Sequence, residues 1–405
     1  MLLYKRITAI FIVLANILAY SPLYSDIDPI VEIYENSPLK AVNPRPLNIL
    51  FVVGHFPSRS QIFILNIMTA LIDLGHNVSI FSFNKDDQSF THSDIEKYRL
   101  QDRIIYENFL QAPPECDIVF FQFGYLVKRF FKKVEKADSL KTKKLVVCFR
   151  GADITVHLQK DKKMYNRIFK KVDLLLPVCD YFKKKLVALG CPRSKVKVYH
   201  SAIDCTRFFF TIKQKPEDGS IQLVSTCRLV PKKGIDVVIK AVADVVKKYP
   251  LIHYTIIGDG PEKEYLEGLV VELNLQDKVT FLGWKSQDEV ISILDNSHIF
   301  LLPSNKAADG NEEGIANALK EAMAMGLITI GSWHAGTPEL IDHNVSGFLV
   351  LEKSVSGLAS IITSIIERPY IWEPIGLAAR KKIEQEFEIK RCVKRLEKLF
   401  YGLLR

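Results

Sequence analysis

NILFVVGHFPSRSQIFILNIMTALIDLGHNVSIF, residues 48–81, holds three elements in one rhythm. Asn48 to Val53 is a short apolar run closed by Gly54, as in a strand buried on both faces. Gln61 to Leu74 places apolar residues at helical spacing and stops at Gly75-His76. Asn77 to Phe81 is the next strand. Strand, helix, strand at this spacing predicts a βαβ unit and a parallel sheet.

The rhythm continues outward. Further strands are expected at Asp117–Phe121, Lys144–Phe149, Leu174–Val178 and Val196–Tyr199. A polar break at residues 214–219 opens a second series. Its strands are Ile221–Thr226, His253–Gly258, Val279–Leu282, Ile299–Leu302, Leu327–Gly331 and Gly347–Leu351. Helices Gly234–Lys247, Lys263–Leu273, Ser286–Asp295 and Ile315–Met325 alternate with them, with a helical turn at Pro338–Asp342. Glu373–Leu403 reads as helical and charged on one side. The class is α/β, with two Rossmann-like domains facing across a cleft. The expected divisions are 1–46, 47–209, 210–375 and a helical segment 376–405. The 405 residues agree with two domains of about 100–200 residues each.

Composition narrows the function classes. Apolar residues make up 48% and charged ones 25%, with 24 Phe and 15 Tyr, which excludes disorder as the main state. Seven scattered cysteines show no metal-ligand or thioredoxin-like spacing, so a reducing compartment with free thiols is expected. The net charge is +9, but residues 121–200 carry 21 Lys and Arg against 6 Asp and Glu. That region alone is +15, and the remainder is −6. Such a face suits nucleic acid, an anionic membrane or a phosphorylated substrate, or is simply a solvated lysine-rich surface.

At the amino end, Lys5-Arg6 precede an apolar run from Ile7 to Tyr20. Fourteen residues are too few to span a bilayer as a helix, which needs about 20. The run reads as a docked helix, a shallow membrane-associated one or a targeting signal. Residues 21–46, with Pro22, Pro29, Pro38, Pro44 and Pro46, read as an extended linker.

Five loops carry candidate chemistry, nearly all beyond strand ends, where open α/β sheets bind ligands. The first is Gly54-His55-Phe56-Pro57-Ser58-Arg59-Ser60, with Ser60 a candidate helix cap; it is not a GxGxxG fingerprint. The second is Arg150-Gly151-Ala152-Asp153, where Arg150 can fork onto phosphate or hydroxyls and Asp153 can orient it or accept from a sugar. A structural Arg–Asp pair is the plain alternative. In the third, Arg228 and Lys233 flank a helix start, which suits a diphosphate, but the P-loop order is absent. In the fourth, Asp309-Gly310-Asn311-Glu312-Glu313-Gly314 leads into a helix bearing Asn317 and Glu321. Glu313 and Glu321 are then about 12 Å apart, long for two carboxylates working on one glycosidic bond. The fifth is Ser332-Trp333-His334-Ala335-Gly336-Thr337, with Thr337 an expected N-cap before Pro338 and Glu339 in the first turn. No metal motif stands out. The one DxD, Asp26-Ile27-Asp28, lies in the linker.

The pattern resembles the retaining, family 4 type glycosyltransferases of the GT-B fold, among them bacterial enzymes of exopolysaccharide, capsule, lipopolysaccharide and colanic acid assembly. The resemblance covers roughly residues 47–403. Its most specific match is the Glu-x7-Glu signature, Glu313 to Glu321. The resemblance implies that Glu321 binds the nucleotide ribose and Glu313 lies against the donor sugar. It implies that Arg228 and Lys233 meet the donor diphosphate, and that Gly258-Asp259-Gly260-Pro261 and Phe281-Leu282-Gly283 lie near the nucleotide. Gly314, Asn317, Gly336 and Thr337 fall in its donor-binding segments, and Gly347-Phe348-Leu349-Val350 matches near the domain's end. Phe56-Pro57-x-x-Ser60 and Arg150-Gly151-x-Asp153 match on the amino-terminal side. Four positions depart: Gln61 stands where glutamate is common, Cys227 replaces a glycine, Ala316 a proline, and Arg150 a histidine beside the reacting sugar.

The implied activity is transfer of a hexose from a UDP-sugar or GDP-sugar to a hydroxyl of a glycan acceptor, with retention and without a bound metal or other cofactor. The amino-terminal domain is then the acceptor side and the second domain the nucleotide-sugar side, with the last helix crossing back to the first. The acceptor is expected to be lipid-linked, and the protein cytoplasmic and peripheral on the inner membrane face. Lys132, Lys133 and Lys183 to Lys185 would attract anionic lipid, with Phe130, Phe131, Tyr165, Phe169, Tyr181 and Phe182 either in the interface or in the core. The alternative readings are a hydrolysing nucleotide-sugar epimerase or a sugar phosphorylase or synthase of the same fold, and a binding module without turnover. A nucleic-acid partner is not expected, since no RRM, KH or helix-turn-helix signature is present.

Overall fold

The structure is a computed structural model. It describes residues 45–58, 61–85, 92–107, 114–134, 143–157 and 161–405. The apolar run 7–20, the linker DxD, Arg59 and Ser60 lie outside the described residues.

The first half runs β1 (Asn48–Phe56), α1 (Ile62–Asp73), β2 (Asn77–Lys85), α2 (Ser93–Lys97), β3 (Ile104–Tyr106), β4 (Ile118–Phe121), α3 (Gly124–Val134), β5 (Lys144–Phe149), α4 (Lys162–Lys171), β6 (Leu174–Pro177) and α5 (Asp180–Ala188). Its six strands pair in the order β3-β2-β1-β4-β5-β6, and each pairing is parallel. The second half runs β7 (Ile221–Thr226), α6 (Ile235–Val245), β8 (Ile252–Ile257), α7 (Lys263–Glu272), β9 (Val279–Gly283), α8 (Gln287–Asp295), β10 (Ile299–Leu301), α9 (Asn317–Ala324), β11 (Ile328–Ser332), α10 (Thr337–Leu340), β12 (Phe348–Val350), α11 (Val355–Glu367), α12 (Trp372–Lys382) and α13 (Ile389–Leu404). Its sheet is also six-stranded and parallel, in the order β12-β11-β10-β7-β8-β9. Both sheets have the reversal of strand order at which open α/β folds bind ligands.

The pleat explains the apolar runs. Ile49, Phe51 and Val53 of β1 pack with α1 and α13, while Leu50 and Val52 pack on the opposite face with Val119, Phe121, Val147 and Phe149. The final helix does return to the first half. Ile389, Cys392, Val393, Leu396 and Phe400 form its apolar stripe, and the Phe400 ring lies 5.4 Å from that of Phe120. His76 Nε2 meets Glu397 Oε1 at 3.0 Å, and His76 Nδ1 accepts from the Leu47 amide at 3.2 Å.

Four expectations about elements change. Val196–Tyr199 is not a strand: Lys197 and Tyr199 donate to carbonyls of β6, but only Val196 forms a bridge. β3 is an additional strand, only three half-buried residues long and too short to read from sequence. The carboxy-terminal helix is broken, because residues 383–387 form a π turn and Glu388 is extended at φ −69°, ψ 136°. The turn after β11 begins at Thr337, with Gly336 as its N-cap, so Thr337 is not the cap.

Candidate active site

The carboxyl ends of the two sheets meet. A Cβ on Gly151, after β5, would stand 3.4 Å from the Glu312 carbonyl, and one on Gly314 would stand 2.7 Å from Val178 and 3.1 Å from Phe182. A Cβ on Gly336 would lie 2.6 Å from Cys179. The Gly336 amide donates to the Gly314 carbonyl at 3.0 Å. Gly314 and Gly336 therefore serve close packing of the two halves.

On the second half, Arg228 follows β7. It is exposed, and its guanidinium has no hydrogen-bond partner among the described residues. The next loop lies directly on this one. A Cβ on Gly258 would sit 1.8 Å from the Cys227 carbonyl at φ +133°, and one on Gly260 2.3 Å from that of Leu229. Only glycine lets these backbones approach so closely.

Glu313 is bonded by Lys233 Nζ, and Lys232 Nζ lies 3.6 Å from it. Burial would raise its pKa, but the two lysines prevail and hold it at about 2. Burial likewise opposes the charge on Lys233, yet Glu313 leaves its pKa raised, while burial lowers that of Lys232. The Glu313 amide donates to His334 Nε2 at 3.1 Å. That assigns the ring proton to Nδ1, which donates to Glu352 at 2.8 Å.

Helix α9 holds Glu321 among Leu319, Ala322 and Met323. Its carboxyl has no hydrogen-bond partner among the described residues, and burial pushes its pKa up to about 7, with Lys320 opposing. Asn317 begins the helix, and its buried Oδ1 is unpartnered, as is Oγ1 of buried Thr337. Lys320, fully buried beside Glu321, donates to the Ser201 carbonyl of the first half. Burial lowers its pKa to about 7.

Arg150 is fixed from several sides. Its Nε and Nη2 donate to the Gln122 carbonyl and Oε1 at 3.3 and 2.8 Å, its Nη1 to Ser201 Oγ at 2.7 Å, and its guanidinium lies 4.5 Å from the Phe63 ring centroid. Asp153 does not pair with that guanidinium. Its carboxylate accepts from the amides of Arg150, Gly151 and Gly124 at 3.0, 2.8 and 3.1 Å, so it shapes the loop rather than facing open space. It is only 1% exposed, and burial raises its pKa against those three amides.

Two carboxylates of the second half hold α5 of the first. Glu312 pairs with Lys185 and accepts from Tyr181 Oη at 2.8 Å. Burial raises its pKa, but Lys185 and Tyr181 prevail and leave it lowered. Glu339 accepts from the Asp180 amide at 2.8 Å and so caps that helix. Most of the basic stretch's aromatics are core: Phe130, Tyr165, Phe169 and Phe182 are buried, and Lys195 caps the carbonyls of Phe169 and Val172. Lys128, Arg129, Lys132, Lys133, Lys170, Lys171 and Lys184 stay exposed. Glu312, Lys320, Ser201 and Gln122 were not foreseen as partners, because each acts across the two halves or between loops distant in sequence.

Known proteins bear on this arrangement. The family model described as glycosyl transferases group 1 matches residues 207–384. The amylovoran biosynthesis glycosyltransferase AmsK of Erwinia amylovora is 32% identical over 84% of this chain and 96% of its own. The putative colanic acid biosynthesis glycosyltransferase WcaL of Escherichia coli is 30% identical over 87% and 99%. Among solved structures, Anabaena HepE in complex with UDP and glucose superimposes with a TM-score of 0.72 at 17% identity, over 88% of this chain and 100% of that one. A sucrose-phosphate synthase of Thermosynechococcus elongatus does so at 0.71 and 17%, over 89% and 99%. Both show the GT-B fold in the paired parallel sheets described above. With a relative at this identity over nearly its whole length, and with the group 1 domain in its second half, the chain belongs to the group 1 glycosyltransferases.

Proposed function

We propose that this glycosyltransferase moves a hexose, with retention, from a nucleoside diphosphate sugar to a hydroxyl of a glycan acceptor in surface polysaccharide synthesis. The observation that carries the reading is Glu321, a half-buried carboxylate with no hydrogen-bond partner among the described residues and a pKa pushed up to about 7 by desolvation. A group held at that cost needs a ligand that donates to it, and the two hydroxyls of a ribose do so. Arg228, unpartnered, and Lys233, held by Glu313, meet the diphosphate. Glu313 then shares Lys233 with the ligand and faces the donor sugar. Asn317 and Thr337 offer their unpartnered oxygens to the donor, and the glycine-shaped loops at Gly258, Gly260, Gly314 and Gly336 form the donor's surroundings. Arg150 presents its charge to the departing diphosphate, and Asp153 fixes its loop.

In this chemistry the bond between the anomeric carbon and the phosphate oxygen breaks. The acceptor oxygen bonds to that carbon on the same face, and its proton passes to the leaving phosphate. Arg228, Lys233 and Arg150 balance the developing charge without a metal ion. UDP is the nucleotide in the HepE complex, and AmsK and WcaL are named for amylovoran and colanic acid biosynthesis. The exposed lysines of α3 and α4 suit a lipid-diphosphate-linked acceptor at the inner membrane face, to which the protein binds peripherally. No helix of the described residues is long and apolar enough to cross a membrane.

The test is thermal stabilisation by a panel of UDP- and GDP-sugars in EDTA, then transfer to lipid-linked glycans. One donor is expected to stabilise the protein, with the product's anomeric configuration, read by NMR, matching the donor's. Glu321→Ala is expected to lose donor binding by about tenfold or more, whereas Glu313→Ala keeps binding and loses turnover. No binding of any donor by calorimetry, or equal donor affinity in Glu321→Ala and the parent, overturns the reading.

A further inference from the structure

The helix that carries Glu321 also carries a cation for which donor binding has no use. Lys320 is 0% exposed, and its one hydrogen bond among the described residues goes to the Ser201 carbonyl. Its ammonium lies 5.7 Å from the Phe387 ring centroid, and no carboxylate is bonded to it. A lysine in such a place is costly, and an apolar side chain of similar length would pack there without that cost. The residue it holds explains the expense. Ser201 uses its carbonyl for Lys320 and its hydroxyl for Arg150 Nη1, at 2.7 Å. The other anchors of Arg150, Gln122 and Phe63, belong to the first half alone. Only the Ser201 anchor is tied to the second half.

We propose that Lys320 is a positioning residue for Arg150: by fixing Ser201 it ties the direction of the Arg150 guanidinium to the helix that bears Glu321. Binding a donor against α9 and aiming Arg150 at the departing group are then one event, although the two residues stand on different sheets. The proposal rests on the reading of Arg150 given above. It differs from a purely structural role for Lys320 in where the damage falls. A loosened Arg150 slows the chemical step and leaves the donor's contacts with Arg228, Lys233 and Glu321 in place.

The experiment uses the full chain, the donor found by thermal shift, and steady-state transfer with calorimetric donor affinity. Lys320→Met is expected to lower kcat by about tenfold while donor Kd stays within about twofold. Ser201→Ala removes the hydroxyl anchor and is expected to give a similar loss. The double variant is expected to fall no further than the worse single one, because both act through one contact chain. Full kcat in Lys320→Met, a loss confined to donor affinity, or losses that multiply in the double variant overturn the proposal. Ser201→Ala changes a single loop hydroxyl, so if Lys320→Met does not fold, wild-type kcat in Ser201→Ala overturns it alone. Arg150→Gln separates the two levels. Wild-type kcat in that variant removes the residue Lys320 is said to serve, and overturns the proposal with donor binding intact. Failure of the parent chain to bind any nucleotide sugar is instead the failure of the functional reading.

Discussion

Glu321 stands where a carboxylate is costly, and the cost has a sign that pH reveals. Its pKa in the folded chain is about 7, against 4.5 for an unperturbed glutamate, because burial disfavours the charged form. The folded state therefore binds the proton more tightly than the unfolded state. The stabilisation this gives is complete below about pH 4.5 and is lost as pH rises through about 7. Glu321→Gln keeps the shape and cannot ionise. The ligand-free variant is expected to match the parent near pH 4 and to exceed it at pH 8 by about 1–3 kcal/mol, read by denaturant unfolding at both values. Equal stability of the two proteins at pH 8 overturns the assignment. The glutamates, Arg228 and Lys233 stand out in the sequence because a motif fixes the spacing of the glutamates along one loop and helix, and the two cations flank the helix start after β7. Lys320 does not, although it is the neighbour of Glu321, since its partner is a carbonyl 119 positions away.

At the scale of the element, legibility followed length and amphipathic contrast. The helices of the second half and the long buried strands had both. β3 had neither, and Val196–Tyr199 had the composition of a strand but bonds β6 mainly by one-sided donation. Helix α5 shows why a helix end is harder still to read. Its N-cap, Cys179, offers no side-chain bond, and the cap comes from Glu339 in the other half, across 159 positions. A glutamate in the first turn of α10 thus stabilises the start of α5. Glu339→Ala is expected to cost about 1 kcal/mol, as loss of an N-terminal acceptor does elsewhere, with unchanged slope of the urea transition. Asp180→Ala, whose side chain bonds only Lys183 and Lys184 nearby, is expected to cost less. The reverse order would place the cap in Asp180 and remove Glu339 from it.

The whole molecule is joined by its ends as well as by its facing loops. The chain passes from the first half to the second beyond Ile203 and returns at Phe387, and the two crossings are bonded to each other. The Ile203 amide donates to the Phe387 carbonyl at 3.0 Å, and the Ile389 amide donates to that of Ile203 at 2.9 Å. Helix α13 then covers one face of the first sheet, so the stability of that sheet depends on residues 389–404. Phe400 is fully buried against Phe120, and Phe400→Ala is expected to cost about 3–5 kcal/mol. The loss falls on the first half, because α13 packs with α1 and the first sheet's strands. The chain has three tryptophans, Trp284, Trp333 and Trp372, and all lie in the second half. Their fluorescence therefore reports one half, while far-ultraviolet circular dichroism reports both. In Phe400→Ala the dichroism transition in urea is expected to move to lower denaturant and separate from the fluorescence transition. If the two signals shift together, the halves unfold as one unit, and the Ile203–Phe387 crossing couples them more strongly than the cover supplied by α13.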